Sequence, residues 1–413
     1  MRIWLINHYA GNQFFDNGGR HYNFAKYLKR FGHDPVIFCC NAKHNSNAGV
    51  YFDDNSLWHE HIAEGIDVPF VFVRGRAYVG NGKQRVLNMV DFYRNVKKAA
   101  KEYAKEHGKP DVILASSVHP LTLVAGIQLA KHFGVKCICE VRDLWPESIV
   151  AYSSRLKKSN PIIKLLYAGE KWIYKKADAI IFTMEGAYDY IIEQGWENDI
   201  PREKVHHINN GVDLEVFDYN KEHYQIDDPD LEDPNVKRVI YTGSMREANR
   251  SITILPEVAD ELLRKGRTDI QILMYGRGDY AESFKKICEE REVHNLVYKG
   301  SVQKNEVPYL LSKAIANILN CDKSEMSQYG SSQNKLFEYL ASGHPILSGE
   351  SDRYSIIINR NCGISKQFNS AEEIADAIIE LADHPEKYPD IRSVGEEYDF
   401  KRLTEELIRI IEA

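Results

Sequence analysis

Residues 329–347, YGSSQNKLFEYLASGHPIL, pass from small polar residues into an amphipathic segment and leave through a glycine and a proline into apolar Ile346-Leu347. The pattern predicts a loop, a short helix and a strand, one repeat of an α/β sheet. Gly330, Ser331 and Ser332 are small enough for a ligand to approach the backbone closely. Ser331 or Ser332 is expected to cap the helix, leaving neighbouring N–H groups, among them those of Gln333 and Asn334, for an anion at its positive end. Lys335 falls in the first turn, and Glu338, three residues on, shares its face. Gly343 and Pro345 end the helix. The competing reading is an amphipathic helix with an incidental Lys–Glu pair.

Outward from this stretch, strand and helix alternate through the whole chain. RIWLIN, DPVIFCC, DVILASS, VKCICEVRD, ADAIIFTM and KVHHINN read as strands of the first half. KRVIYTG, DIQILMYG, NLVYKG and AIANILN read as strands of the second. Short Val- and Ile-rich runs between helical patterns predict parallel sheets covered on both faces. A chain of 413 residues exceeds the usual size of one core, so two domains are expected. The predicted boundaries are 1–215 and 216–395, with an amphipathic helix at 396–413 packing back on the first domain. The acidic stretch FDYNKEHYQIDDPDLEDPN is the candidate linker. Two open sheets joined by a hinge are expected to face a cleft at the strand carboxyl ends.

Composition narrows the function classes. The 43% hydrophobic and 27% charged content fits a globular protein. The N-terminus reads as a strand and not as a signal peptide, and no run of 18 apolar residues follows, so a cytoplasmic protein is expected. Seven scattered cysteines without a CxxC pair predict reduced core thiols, with neither disulfides nor a metal site. Residues 1–213 hold 28 Lys+Arg against 23 Asp+Glu, and the remainder 25 against 37, so basic charge gathers in the first half. An acidic chain with no recognised module argues against a nucleic-acid partner.

Several pieces occur in one order: Gly18-Gly19, Gly32-His33, RDLWPE (142–147), NGVD (210–213), YTGS (241–244) and SSQNKLFEYLASGHPIL. Together they resemble the retaining nucleotide-sugar glycosyltransferases of family four, with the two-Rossmann GT-B architecture, along essentially the whole chain. RDLWPE and NKLFEYLASG look like the branch that assembles bacterial surface polysaccharides such as O-antigen or capsule. The resemblance implies a nucleotide-sugar co-substrate, UDP-linked, held by the second domain. It also implies an acceptor, a glycan or a polyprenyl-diphosphate-linked glycan, held by the first. Glu338 is then the carboxylate that accepts the ribose hydroxyls, and transfer retains anomeric configuration by front-face substitution. One departure stands out: many members carry a glutamate where this chain has Gly330. Two alternatives stay open, a nucleotide-sugar 2-epimerase of similar architecture and a non-catalytic sugar-nucleotide-binding protein.

Other candidates lie at predicted strand ends. Gly18 and Gly19 either present N–H groups to the donor phosphates or form a simple turn. Asp16 either contacts a substrate or caps that loop. For His119, in LASSVHP, the resemblance implies a polar contact with sugar or acceptor; read alone it is a loop histidine. Asp143 and Glu147 either orient an acceptor hydroxyl or act as base, or else Arg142 and Asp143 form a surface pair with Trp145 packed beneath. The resemblance implies a cation here for the leaving diphosphate. The family's common Arg-then-Lys spacing is absent, and of the available Arg246 and Arg250, with Asn249 between, Arg246 is preferred, its guanidinium presenting a fork of donors. Gly243 and Gly276 complete the donor-side glycines. With Lys335, Arg246 and a helix terminus available, and no DxD sequence or metal-spaced cluster, no metal is expected. Two basic segments, residues 74–109 and 155–176, are candidates either for peripheral membrane attachment or for solvated helix faces.

Overall fold

The computed structural model describes residues 1–152, 157–247, 249–321 and 328–413. The chain forms two compact units, Met1–Asn209 with Phe400–Ala413, and Asn210–Asp399.

The first unit is built on β1 (Arg2–Asn7), β2 (Asp34–Cys40), β3 (Trp58–Ala63), β4 (Val68–Val73), β5 (Val112–Ser116), β6 (Lys136–Val141), β7 (Ala179–Phe182) and β8 (Val205–His207). Their order is β3-β4-β2-β1-β5-β6-β7-β8. Neighbours run parallel, except that β3 is antiparallel to β4. The β3–β4 edge hairpin is absent from the strands expected above: WHEHIA is half polar and reads poorly as a sheet element. The inner strands are apolar on both faces because helices cover both, as Ile3 to Ile6 and Ile113 to Ala115 show by being fully buried. The terminal helix Phe400–Glu412 buries Leu403, Leu407 and Ile411 in this core, and Phe400 meets Phe24 edge-on at 5.5 Å.

The second unit carries β9 (Lys237–Ser244), β10 (Ile270–Arg277), β11 (Leu296–Tyr298), β12 (Ala316–Ile318), β13 (Ile346–Ser348) and β14 (Gly363–Ser365), all parallel, in the order β11-β10-β9-β12-β13-β14. The acidic stretch expected as a linker is instead part of this unit. Asp213 caps the helix Leu214–His223 by accepting from the Val216 N–H at 3.3 Å, and Phe217 and Leu231 are buried. Besides these two apolar anchors, Arg238 donates to the Asp233 carbonyl at 2.5 Å, Lys299 pairs with Asp228 at 2.9 Å and Lys313 with Glu232 at 2.8 Å. The chain crosses between units at Asn209–Asn210 and Asp399–Phe400.

The quoted stretch forms the helix Asn334–Ser342, ended by Gly343 in the left-handed conformation at φ 78°. The expected serine cap is not made. The N-cap residue is Gln333, which forms no side-chain cap bond, and the Ser332 hydroxyl accepts instead from the Asn210 N–H at 3.1 Å. A missing cap costs about 1 kcal/mol. Burial of Leu336, Phe337 and Leu340 contributes about 1.5–3 kcal/mol each, so packing decides that the helix forms.

Each sheet has a topological switch point, where consecutive crossovers leave in opposite directions. It lies between β1 and β5 in the first sheet and between β9 and β12 in the second. Ligands of open α/β sheets bind beyond the strand carboxyl ends at such points.

Candidate functional site

In the first unit the switch point is filled by a connected polar network. The β1–β5 register pairs Asn7 with Ser116, and the Asn7 amide donates to the Ser116 hydroxyl at 3.2 Å. Ser116 donates to Glu140 at 2.6 Å, Arg20 donates to the other Glu140 oxygen at 2.8 Å, and His21 lies 3.3 Å from Glu140. The Arg20 and Glu140 side chains are 2% and 1% exposed. Burial would raise the Glu140 carboxyl, but Arg20, His21 and Ser116 outweigh it and hold it well below the usual carboxylate range. Arg20 also donates to the carbonyls of Ile208 and Asn209, the last residues before the chain leaves this unit.

Beside this network His8 follows β1 and His119 follows β5. The His8 Nδ1 and His119 Nε2 atoms stand 2.6 Å apart, so one ring must donate and the other accept. His8 stacks on Phe92 with ring centres 4.4 Å apart. Burial, with the Arg85 charge adding to it, pushes His119 down to about 3, and burial with His119 beside it pushes His8 down as well. Both rings are therefore neutral at ordinary pH. His119 Nδ1 has no hydrogen-bond partner among the described residues. It is suited to meet a hydroxyl and poorly suited to hold a proton.

His119 lines a pocket of about 270 Å³, including the space at its mouth, together with Ser117, Asp143, Trp145, Glu170 and Tyr174. Asp143 is exposed at its edge. Glu170 is pushed up to about 8 by burial, against the hydroxyls of Tyr174 and Tyr190 that donate to it at 2.6 and 2.7 Å. The structure does not bring Glu147 into this lining; it accepts from Tyr167 and pairs with Lys158 at 2.9 Å. Asp16 is exposed and closes the short helix Gly11–Phe15. Gly19 takes φ 110°, and a Cβ there would press on Gln13. Several amides around the turn, that of Gly18 among them, are already engaged. Gln13 Oε1 already accepts from the His21 and Tyr22 N–H groups at 2.9 and 3.1 Å, and the Gln13 carbonyl from Gly18 at 3.2 Å.

In the second unit the groups at the switch point are less engaged. Lys335 is partly buried, with Nζ over the Tyr241 ring at 4.3 Å. Burial lowers it to about 8, against the opposing pull of Cys321 and Glu350. Glu338 is partly buried and raised by burial, and no hydrogen bond or ion pair reaches it among the described residues. Lys335 and Glu338 thus do not pair with each other. Tyr339, on the same helix, anchors it to the end of β9: its hydroxyl accepts from the Thr242 N–H at 3.0 Å. Gln333 donates to Ser331 at 3.3 Å and to Glu350 at 3.1 Å, and Asn320 donates to Glu350 at 3.1 Å. Asn334 is exposed. Gly330 takes φ 100°, a conformation that a side chain strains, so backbone geometry favours glycine where relatives are expected to carry a carboxylate.

The remaining donor-side candidates are split. Gly243 and Gly276 are register partners, and a Cβ on Gly276 would collide with the Gly243 carbonyl, so Gly276 serves close strand approach. Asn249 is a helix cap, accepting from the Ser251 N–H at 3.0 Å. Arg246 and Arg250 are exposed beyond the end of β9. Sequence reasoning missed Arg20, Glu140, His8, Glu170 and Glu350. Glu140 did leave a signal, a lone carboxylate inside the apolar run VKCICEV.

Residues 20–216 match the family model described as Glycosyltransferase Family 4, and residues 236–384 match that of the glycosyl transferases group 1. A relative in Bacillus subtilis, TuaH, described as a teichuronic acid biosynthesis glycosyltransferase, is 25% identical over 217 residues. That is 51% of this chain and 49% of TuaH, so the match spans about half of the relative's length. Anabaena HepE, solved in complex with UDP, aligns over 100% of both chains with a TM-score of 0.63 at 12% identity. OtsA in its apo form aligns over 100% of this chain and 99% of its own, with a TM-score of 0.70 at 11% identity. Both share the GT-B fold of two parallel-sheet α/β domains.

Proposed function

We propose, from the premise that this chain belongs to the GT-B glycosyltransferases, with a family 4 domain over residues 20–216 and a group 1 domain over residues 236–384, that it transfers a sugar from a UDP-linked donor to a hydroxyl of a glycan. The carrying observation is the helix Asn334–Ser342. It has no side-chain cap, a lysine in its first turn and a carboxylate one turn on that no group among the described residues satisfies. The bare helix end and Lys335 suit a diphosphate, and Glu338 suits the two hydroxyls of a ribose. The complex of HepE with UDP supports UDP as the nucleotide.

In this proposal Arg246 and Lys335 neutralise the departing diphosphate, which takes up the proton of the incoming hydroxyl on the same face, so configuration is retained and no divalent ion is needed. The neutral His119 imidazole positions that hydroxyl, with Asp143 at the pocket edge as the available carboxylate. The acceptor is a lipid-linked glycan of surface-polysaccharide assembly, a reading supported by the partial match to TuaH.

Titration calorimetry with UDP tests the donor site. Binding is expected with wild-type protein and strong weakening in Glu338→Gln; no heat with any nucleoside diphosphate would sink the proposal. Release of UDP only when acceptor is supplied, undiminished by EDTA, is the expected signature of metal-independent transfer.

A further inference from the structure

The helix Pro161–Lys176 has two unlike faces. Inward it buries Ile163, Glu170, Ile173 and Tyr174, the last three in the wall of the His119 pocket. Outward it exposes Ile162 by 66%, Leu165 by 71% and Trp172 by 41%. At 100° per residue these three and the exposed Gly169 fall in one stripe along the helix. Lys164, Lys171 and Lys175 run along one flank of it, and Lys176 closes its end.

The other basic helix, Lys83–His107, makes the contrast. Its Met89, Phe92 and Val96 are buried in the first unit's own core, and among its large apolar residues only Val86 is mostly exposed, by 57%. Its basic face is therefore the solvated side of an ordinary core helix. The Pro161–Lys176 helix instead buries one face and still leaves large apolar groups in water, a cost that a solvated surface rarely carries without an occupant.

Charge identifies the occupant. Lys171 and Lys175 share one carboxylate, Asp199, at 2.6 Å each, and Lys158 is matched by Glu147. Lys157, Lys164 and Lys176 form no ion pair among the described residues. The stripe is thus edged by net positive charge. Arg155 and Leu156, which the basic segment 155–176 also includes, lie outside the described residues. We infer that the outer face of the helix Pro161–Lys176 docks on an anionic lipid bilayer, with Ile162, Leu165 and Trp172 entering the headgroup–acyl boundary and the lysine flank meeting lipid phosphates. A helix is about 10–12 Å thick, so docking holds the His119 pocket roughly one helix above the bilayer, where the head of a lipid-linked acceptor lies. This purpose rests on the acceptor proposed above; the docking itself does not.

Flotation of the full chain with vesicles tests it, using phosphatidylcholine alone or with about one third phosphatidylglycerol. The expected result is partition onto the anionic vesicles, weakened by salt, and reduced about tenfold or more in the double variant Ile162→Gln/Leu165→Gln. Transfer to a water-soluble acceptor should be unchanged in that variant. Equal partition of variant and wild type, or none by either, overturns the inference. So does a dimer that the same double variant dissolves without any vesicle binding, since the stripe would then be a self-interface. Absence of transfer by wild-type protein on soluble acceptors would instead count against the proposed function and leave the docking result standing.

Discussion

The two switch points use similar residue types to opposite ends. In the first unit a carboxylate, Glu140, is saturated by arginine, histidine and serine, and two histidines share one hydrogen bond. In the second, Lys335 rests on an aromatic face, and Glu338 reaches no protein donor among the described residues. Saturated charge inside a protein holds a fold in place. Charge left partly buried and unmatched is unfavourable until something arrives to match it. In the function proposed above, the contrast suits the second unit to the charged ligand, and His119 Nδ1, a neutral hydrogen-bonding group of the first unit, to an uncharged hydroxyl.

The widest test of that contrast removes Glu140. Glu140→Ala strands the buried Arg20 charge and is expected to lower stability by roughly 3–5 kcal/mol in urea unfolding. A loss below about 1 kcal/mol would erase the distinction between a saturated and an open site. The pH dependence has a definite sign. The folded Glu140 carboxyl lies below its unfolded value near 4.3, so its contribution is complete above that pH and lost as pH falls below it. Glu140→Gln should therefore flatten the acid limb of the stability curve while lowering its plateau.

On the open side, Glu338→Gln is expected to weaken UDP binding by about 1.5–3 kcal/mol, roughly tenfold to a hundredfold, because a charge-assisted contact is lost. Unaltered affinity would show that the unmatched carboxylate has another use. Lys335→Met should lower affinity about tenfold at neutral pH. The unliganded wild-type lysine loses its charge as pH rises through about 8, so wild-type affinity should decline above that pH while the variant's stays level there. A level wild-type profile would mean that Lys335 does not meet the diphosphate.

The smallest effect belongs to the first unit. His119→Asn is expected to cut transfer several-fold without altering UDP affinity, and the wild-type rate should show no imidazole inflection between pH 5 and 8. An inflection near 6.5 that vanishes in the variant would return His119 to the role of a titrating base.

Much of this fold was legible because its signals are local. Strand and helix periods, the stop at Gly343, and the shared face of Lys335 and Glu338 depend on residues a few positions apart. The misses share a physical cause. The stretch 217–235 looked like a linker because composition does not reveal that Phe217 and Leu231 have a core to enter. Ser332 looked like a cap until Asn210 claimed its hydroxyl.

The sequence alone determined two α/β units, the strands at their centres and the helix that carries the proposed donor site, since each follows from backbone preference and hydrophobic period. Tertiary structure alone decided protonation and orientation. His8 meets His119 across 111 residues and Arg20 meets Glu140 across 120, and whether such groups are charged depends on what burial removes and which partner replaces water. The same holds for the two basic helices. Both are amphipathic in sequence, but only packing determines that one turns its apolar stripe inward and the other leaves Ile162, Leu165 and Trp172 facing out.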